Sequence, residues 1–163
     1  MSDYSTSFTV EQSAEEVYAA VLNVSAWWTG EIEGRADEVG GEFAYRHLPQ
    51  HYSLQRVSEL EPGRRVVWQV VDSRLAFVSE PSEWTGSQIV FDIAAAGSDP
   101  EHVGDAGSDA EHVRAAGTEL RFTHVGLVPD VECFGACSTA WRHYVNGSLR
   151  SLITTGEGLP DPW

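Results

Sequence analysis

The chain contains no lysine, and all ten of its basic residues are arginines. Against these stand 25 Asp and Glu residues, which give a formal net charge of −15. A surface this acidic repels phosphate backbones and anionic headgroups, so the composition argues against nucleic-acid and membrane partners. The missing lysines are more in keeping with genome composition than with function, although arginine does favour bidentate pairing with carboxylates.

Long apolar runs are also missing. No stretch approaches the roughly 20 apolar residues that a membrane-spanning helix needs, and Met1–Thr9 lacks the basic-then-apolar pattern of a secretory signal. We therefore expect a cytoplasmic protein. The sequence contains no nucleophile elbow, phosphate loop, dinucleotide fingerprint or zinc-ligand spacing, so we expect neither a cofactor nor a metal.

Cysteine is scarce: only Cys133 and Cys137 are present. They lie one helical turn apart, which is poor geometry for a disulfide. We interpret them as buried small side chains in a reducing compartment. A redox or metal-binding pair is the alternative.

The 163 residues are 42% hydrophobic, which is enough for one domain with a substantial core, and we expect residues 1–163 to form it. A strand over Ser5–Gln12 precedes a helix that begins at Ser13. Ser13 and Glu16 have the spacing of a capping box. A second short helical turn is predicted over Asn23–Trp28.

From Glu31 the apolar residues alternate with polar ones, which predicts antiparallel strands as far as Thr118–His124. Residues 96–115 interrupt this pattern with a ten-residue unit that is repeated almost unchanged. We interpret 96–115 as a duplicated, mobile hairpin loop and not as a cation site. After Pro129 the apolar residues recur every three or four positions, which predicts one long amphipathic helix. Its stripe comprises Phe134, Cys137, Trp141, Val145, Leu149 and Leu152.

The element order predicts an α+β fold of the helix-grip type. About six to seven antiparallel strands would curve around the long C-terminal helix, with two short helices near the N-terminus.

Several strings resemble the START-like (SRPBCC) superfamily, and more narrowly the homologues of the activator of the heat-shock-protein-90 ATPase. They are Ser13–Tyr18, Trp27-Trp28, Glu83–Gly86, Gly117–Leu127, and Trp141-x-x-Tyr144-x-x-x-Ser148-Leu149 leading to Gly156-x-Gly158-x-Pro160. The resemblance covers nearly the whole chain except the duplicated loop. It implies a seven-stranded sheet around the C-terminal helix, with a cavity between them that takes lipids, sterols, polyketides or other aromatic molecules. It supplies no catalytic residue.

The leading functional hypothesis is binding of a hydrophobic or aromatic small molecule in that cavity. The candidate lining residues are Phe43, Tyr45, Trp68, Phe91, Phe122, His124, Phe134, Cys137, Ser138, Trp141 and Val145. The simpler interpretation of each is a core residue, although a helix-grip core is built around its pocket. A co-chaperone that contacts a heat-shock ATPase is one alternative.

A polyketide cyclase or dehydratase that uses His124 as its acid/base is another alternative. His124 shares its strand face with Leu120 and Phe122, so it points into the predicted interior. A structural histidine bonded to a neighbouring carbonyl is the simpler interpretation. The sequence leaves the ligand and the oligomeric state open.

Overall fold

The structure is a computed structural model that describes residues 3–28, 31–47, 51–75, 79, 84–95, 117–129, 132 and 134–158. The strands are β1 (Tyr4–Val10), β2 (Glu31–Gly34), β3 (Glu42–His47), β4 (His51–Glu61), β5 (Arg65–Leu75), β6 (Gln88–Ala95) and β7 (Thr118–Val125). Helix α1 (Ala14–Leu22) and a 3₁₀ turn (Val24–Ala26) lie near the N-terminus. The C-terminal helix α2 comprises α-helical Phe134–Trp141, π-helical Arg142–Leu149 and α-helical Arg150–Thr155. The duplicated loop at 96–115 lies outside the described residues.

The strands form one seven-stranded sheet in the order β1-β7-β6-β5-β4-β3-β2. Strands β2 to β7 pair sequentially and antiparallel, while β1 joins the free edge of β7, with Phe8 opposite Leu120. The predicted α+β helix-grip fold is therefore confirmed. The short edge strand β2 was not separately predicted.

Two irregularities in the β4–β5 pairing bend the sheet. The register shifts between Leu54 and Gln55, and again between Val57 and Glu59. An extra residue on one strand increases the local twist and bends that strand. The bends lie in the two longest strands, where the sheet must curve most to enclose a helix.

Helix α1 begins as its sequence predicts. The Ser13 hydroxyl accepts a hydrogen bond from the Glu16 amide at 3.2 Å, and the Glu16 carboxylate accepts one from the Ser13 amide at 3.1 Å. This confirms the capping box. Val17 and Val21 are fully buried, and the helix packs against β6 and the last turns of α2.

The π-helical turns of α2 follow from the spacing of its buried residues, which are Cys137, Trp141, Val145, Leu149 and Ile153. An α-helix turns about 100° per residue, so each four-residue step carries the stripe about 40° around the helix. Turns closed by i→i+5 hydrogen bonds hold more residues and reverse this drift. The π-helical segment thus keeps one stripe aimed at the sheet. The predicted stripe ended on Leu152, but Leu152 is only partly buried and Ile153 takes the buried position.

Helix α2 ends at Gly156, which has φ +88° and donates its N–H to the Leu152 carbonyl at 2.9 Å. This left-handed conformation favours glycine. Two residues later, Gly158 lies directly against the Ala26 carbonyl oxygen, where a Cβ atom would overlap it. The C-terminal segment is thereby packed against the 3₁₀ turn.

Within the described part of the chain, no helix has both the length and the apolar character needed to cross a membrane.

Candidate functional site

The candidate site is the interior between α2 and the sheet face that β3 to β7 turn toward it. Residues that are paired across neighbouring strands point to the same face of the sheet. The strand pairing therefore shows which residues form each row of side chains across the site. Tyr45, Ser53 and Ser73 form one row across β3, β4 and β5. The adjacent rows are Phe43, Gln55 and Val70, and then Val57, Trp68 and Ile89. All nine side chains are buried.

The structure places the predicted lining residues together in this interior. Ten of the eleven are buried: Phe43, Tyr45, Trp68, Phe91, Phe122, His124, Cys137, Ser138, Trp141 and Val145. Phe134 is only partly buried and packs against the rest. Whether these residues line a ligand cavity stays a prediction.

Their rings contact one another directly. The Trp68 ring packs edge-on against Phe43 at 4.8 Å and against Phe91 at 4.9 Å between centroids. Trp141 lies 4.7 Å from Phe122 and 5.8 Å from Trp84. Around Trp68 and Trp141, the aromatic side chains therefore pack as a core. This is one of the two interpretations that the sequence left open, the other being a pocket wall.

Two aromatic residues of this cluster, Trp27 and Trp28, are absent from the predicted lining set. Trp28 stacks on Tyr45 at 4.1 Å and also contacts Trp141 at 5.0 Å. The Trp27 carbonyl accepts a hydrogen bond from Ser148 on α2 at 2.7 Å. Two adjacent tryptophans after a short amphipathic helix were the available signal, because side chains this large need a core to bury them.

His124 is held by hydrogen bonds at both ring nitrogens. Trp141 Nε1, which can only donate, lies 3.0 Å from His124 Nδ1. Nδ1 is therefore the acceptor, and the neutral ring carries its hydrogen on Nε2. That nitrogen lies 2.8 Å from Ser87 Oγ, which donates in turn to the Trp84 carbonyl at 2.6 Å.

This tautomer bears on the acid/base hypothesis. In a serine–histidine catalytic pair, Nε2 must be an acceptor so that it can take the hydroxyl proton. Here Nε2 donates to Ser87, and the remaining lone pair of His124 is occupied by Trp141. The geometry favours a structural histidine, bonded to an indole and a hydroxyl, where the sequence suggested a carbonyl.

A polar group lies beside the aromatic cluster. Tyr45 on β3 and Tyr144 on α2 are both buried and lie close enough to affect each other's phenol, and the Trp28 ring stacks on Tyr45. Burial is the main reason that the pKa of Tyr45 lies far above 10.0, and the neighbouring Tyr144 raises it further. The Tyr45 phenol therefore stays neutral.

Three buried polar atoms in the same rows have no hydrogen-bond partner among the described residues: Ser53 Oγ, Gln55 Oε1 and Trp68 Nε1. All three residues are 0% exposed. The other end of the Gln55 amide donates to the Phe43 carbonyl at 3.4 Å, which turns Oε1 away from that bond. Because buried polar groups are nearly always paired, an unpaired donor, an unpaired acceptor and an unpaired hydroxyl within adjacent rows indicate a polar contact site.

Ser53 and Gln55 are absent from the predicted lining residues because β4 turns polar side chains inward, whereas apolar ones were expected there. Its larger side chains, Tyr52 and Leu54, lie on the opposite face, while these two polar residues face the interior. Alternation alone could not say which set was inside. Pairing β3 with β4 would have identified them, since Phe43 and Tyr45 lie directly opposite Gln55 and Ser53.

Cys137 is disulfide-bonded, so the interpretation of Cys137 as a reduced, buried side chain is wrong. The chain's other cysteine, Cys133, lies outside the described residues. The disulfide also removes the support for a reducing compartment that was inferred from the two cysteines. Among the described side chains, no group of three His, Cys, Asp or Glu residues could hold a metal ion.

Comparison with known proteins supports the fold. No protein-family model and no curated protein matches the chain. The Aha1 dimer from Colwellia psychrerythraea is 22% identical with a TM-score of 0.69, and the alignment covers 97% of this chain and 100% of that one. MLL2253 from Mesorhizobium loti is 16% identical with a TM-score of 0.64, over 93% of this chain and 96% of that one.

A third similar structure is CalU16 from Micromonospora echinospora, which is 17% identical with a TM-score of 0.58. The alignment covers 93% of this chain and 76% of that one. Identities this low establish the architecture and leave the activity open. The chain has the START-like, helix-grip fold that its sequence resembles.

Proposed function

We propose that the protein binds a hydroxylated aromatic small molecule between α2 and the sheet. The observation that carries the proposal is the set of unpaired buried atoms at Ser53, Gln55 and Trp68. An unpaired buried donor or acceptor costs about 1–3 kcal/mol of stability. A bound molecule that pairs all three would recover that free energy and gain affinity from it.

The chemistry of the three atoms describes the ligand. Gln55 Oε1 can only accept, so it needs a hydroxyl or amino hydrogen from the ligand. Trp68 Nε1 can only donate, so it needs a carbonyl or similar acceptor. Ser53 Oγ can do either. An aromatic carbonyl compound with hydroxyl groups, such as a hydroxyflavone, meets these requirements and suits walls made of aromatic rings.

Binding must also alter the ring packing. Trp28 contacts both Trp68 and Trp141, so these rings fill the space between α2 and the sheet. The ligand therefore reaches Ser53, Gln55 and Trp68 only when α2 moves away from the sheet. The π-helical segment carries Tyr144 and Val145, both buried against that face. π-helical turns within α-helices frequently occur at functional sites.

The test compares apigenin, which carries hydroxyls, with flavone, which lacks them, by isothermal titration and tryptophan fluorescence. We expect saturable binding of apigenin and weaker binding of flavone. Gln55→Met keeps the side-chain length but removes the acceptor, and should weaken apigenin binding by about tenfold while leaving flavone binding unchanged. Gln69→Met, at a half-buried position on the opposite face of β5, is the matched control. Equal binding to Gln55→Met and wild type would refute the proposed contact.

A chaperone contact remains the second proposal, on the narrower sequence resemblance and the likeness to the Aha1 dimer. A pull-down with the chaperone, followed by an ATPase assay, separates it from ligand binding. Stimulation of the ATPase without saturable binding of apigenin would favour this second function.

A further inference from the structure

A cavity lies on the outer face of the sheet, away from α2. Its volume is about 300 Å³. It is lined by Arg46, Tyr52, Asp72 and Arg74, together with Ser73, whose side chain belongs to the inner row. This volume is at the lower end of the range for small-molecule sites. The pairing explains why the residues meet, because Tyr52 of β4 lies directly between Arg46 of β3 and Arg74 of β5.

Arg74 differs from the other strand arginines. Arg46, Arg56, Arg65 and Arg121 each lie within 4 Å of a carboxylate: Glu33, Glu42, Asp92 and Glu119, respectively. Arg74 has no carboxylate partner within the described residues. In a chain with 25 acidic and ten basic side chains, an unmatched arginine at a cavity is notable.

Asp72, two residues earlier on the same strand face, uses one of its two carboxylate oxygens locally. Asp72 Oδ1 accepts a hydrogen bond from the Ser73 amide at 3.0 Å, and this bond orients the carboxylate along its own strand. Arg46 is held in place by Glu33 at 3.3 Å, and its guanidinium carbon lies 5.4 Å from the centre of the Tyr52 ring. The cavity therefore presents an unpaired guanidinium, a positioned guanidinium, an aromatic ring and a carboxylate.

We propose that this cavity binds a small aromatic hydroxy acid. The Arg74 guanidinium, assisted by Arg46, binds the ligand carboxylate through charge-assisted hydrogen bonds. The ligand hydroxyl donates to Asp72, and the ligand ring packs beside Tyr52. The net charge of the protein opposes an anion at long range, but at physiological ionic strength it is screened beyond about 8 Å, so the local arginines dominate.

The test is a titration followed by amide and arginine-side-chain NMR, using 4-hydroxybenzoate as the probe. We expect saturable shifts at Tyr52, Asp72 and Arg74. Two analogues isolate the two polar contacts: 4-hydroxybenzamide lacks the charge, and 4-methoxybenzoate lacks the donor for Asp72. Each should bind about tenfold more weakly.

Arg74→Gln should also weaken 4-hydroxybenzoate binding by about tenfold, whereas Arg56→Gln, on the same sheet face but paired with Glu42, should not. Arg74 is exposed, so its replacement leaves the fold intact, which circular dichroism verifies. Equal affinity for the acid and the amide, unchanged affinity in Arg74→Gln, or shifts confined to Gln55 and Trp68 would each overturn the proposal. The last result would assign the probe to the interior instead.

Discussion

The indole nitrogen of Trp141 donates a hydrogen bond to Nδ1 of His124 across 3.0 Å, joining α2 to β7 in the buried interior. This bond fixes the histidine tautomer, and the tautomer separates a structural role from a catalytic one. The hydrogen bond from Trp141 predicts that the neutral His124 ring carries its hydrogen on Nε2. A two-bond ¹H–¹⁵N correlation spectrum of the imidazole checks this, and a hydrogen on Nδ1 would contradict the assignment.

Removing the indole donor tests the same contact energetically. Trp141→Phe keeps an aromatic ring but leaves Nδ1 of His124 buried without its partner. We expect this variant to lose about 3–5 kcal/mol of unfolding free energy, because the lost ring volume adds to the lost hydrogen bond. Urea unfolding of Trp141→Phe in the wild-type and His124→Leu backgrounds isolates the coupling between the two residues. No coupling would mean that the bond is absent in solution.

Gly147 and Gly158 form a matched pair of glycine substitutions in the C-terminal region. A Cβ atom on Gly158 would overlap the Ala26 carbonyl oxygen, so Gly158→Ala should destabilise the fold by about 1–3 kcal/mol. A Cβ on Gly147 meets its nearest atom, His143 Nδ1, at an ordinary 3.6 Å. Gly147→Ala should therefore be neutral or stabilise the fold by about 0.5–1 kcal/mol. Thermal unfolding of both variants checks the order, and the reverse order would mean that the C-terminal segment packs elsewhere.

Tyr45 predicts a loss of stability in alkaline solution. Its pKa is raised above 10.0 by burial, so the folded state keeps the phenol proton while the unfolded chain releases it. The stabilising contribution is therefore complete below about pH 10 and falls as the pH rises above it. Urea unfolding from pH 8 to pH 11 should show this decline.

Tyr45→Phe is the control for that titration. The variant should be less stable at pH 8, because Tyr144 loses its interaction with the buried phenol oxygen. Its alkaline decline should be shallower than that of the wild type. An identical slope in both proteins would assign the decline to other groups.

The unpaired atoms in the interior predict an unusual combination of stability and affinity. Because Ser53 Oγ has no partner among the described residues, Ser53→Ala should leave the unfolding free energy of the ligand-free protein unchanged or raise it. It should nevertheless weaken apigenin binding. Calorimetry on the free and bound variants measures both quantities. A large loss of stability in the free protein would show that the hydroxyl is already paired in solution.

Most of the fold was predictable because it follows from local patterns. Ser13 and Glu16 identify the start of α1, and Gly156 identifies the end of α2. The alternation of apolar and polar residues identifies the strands. The long helix was predictable from its apolar stripe. Its π-helical turns could also have been inferred, because the four-residue spacing from Cys137 to Ile153 does not stay on one face of an α-helix.

The polar part of the site was less accessible from sequence. Ser53 and Gln55 look like surface residues, and only the pairing of β4 with β3 and β5 places them inside. His124 was identified by its strand parity, but its role depends on Trp141 and Ser87, which reach it from α2 and from the start of β6. Such contacts depend on tertiary packing that no spacing in the chain encodes.

The indole N–H resonance of Trp68 tests the central claim most directly. We propose that this buried donor, which is unpaired among the described residues, gains a partner from a ligand between α2 and the sheet. Titration with apigenin should shift the Trp68 Nε1–H resonance downfield with saturation, and the shift should be smaller in Gln55→Met. A Trp68 resonance that does not move while apigenin binds, or no saturable binding at all, would contradict the account.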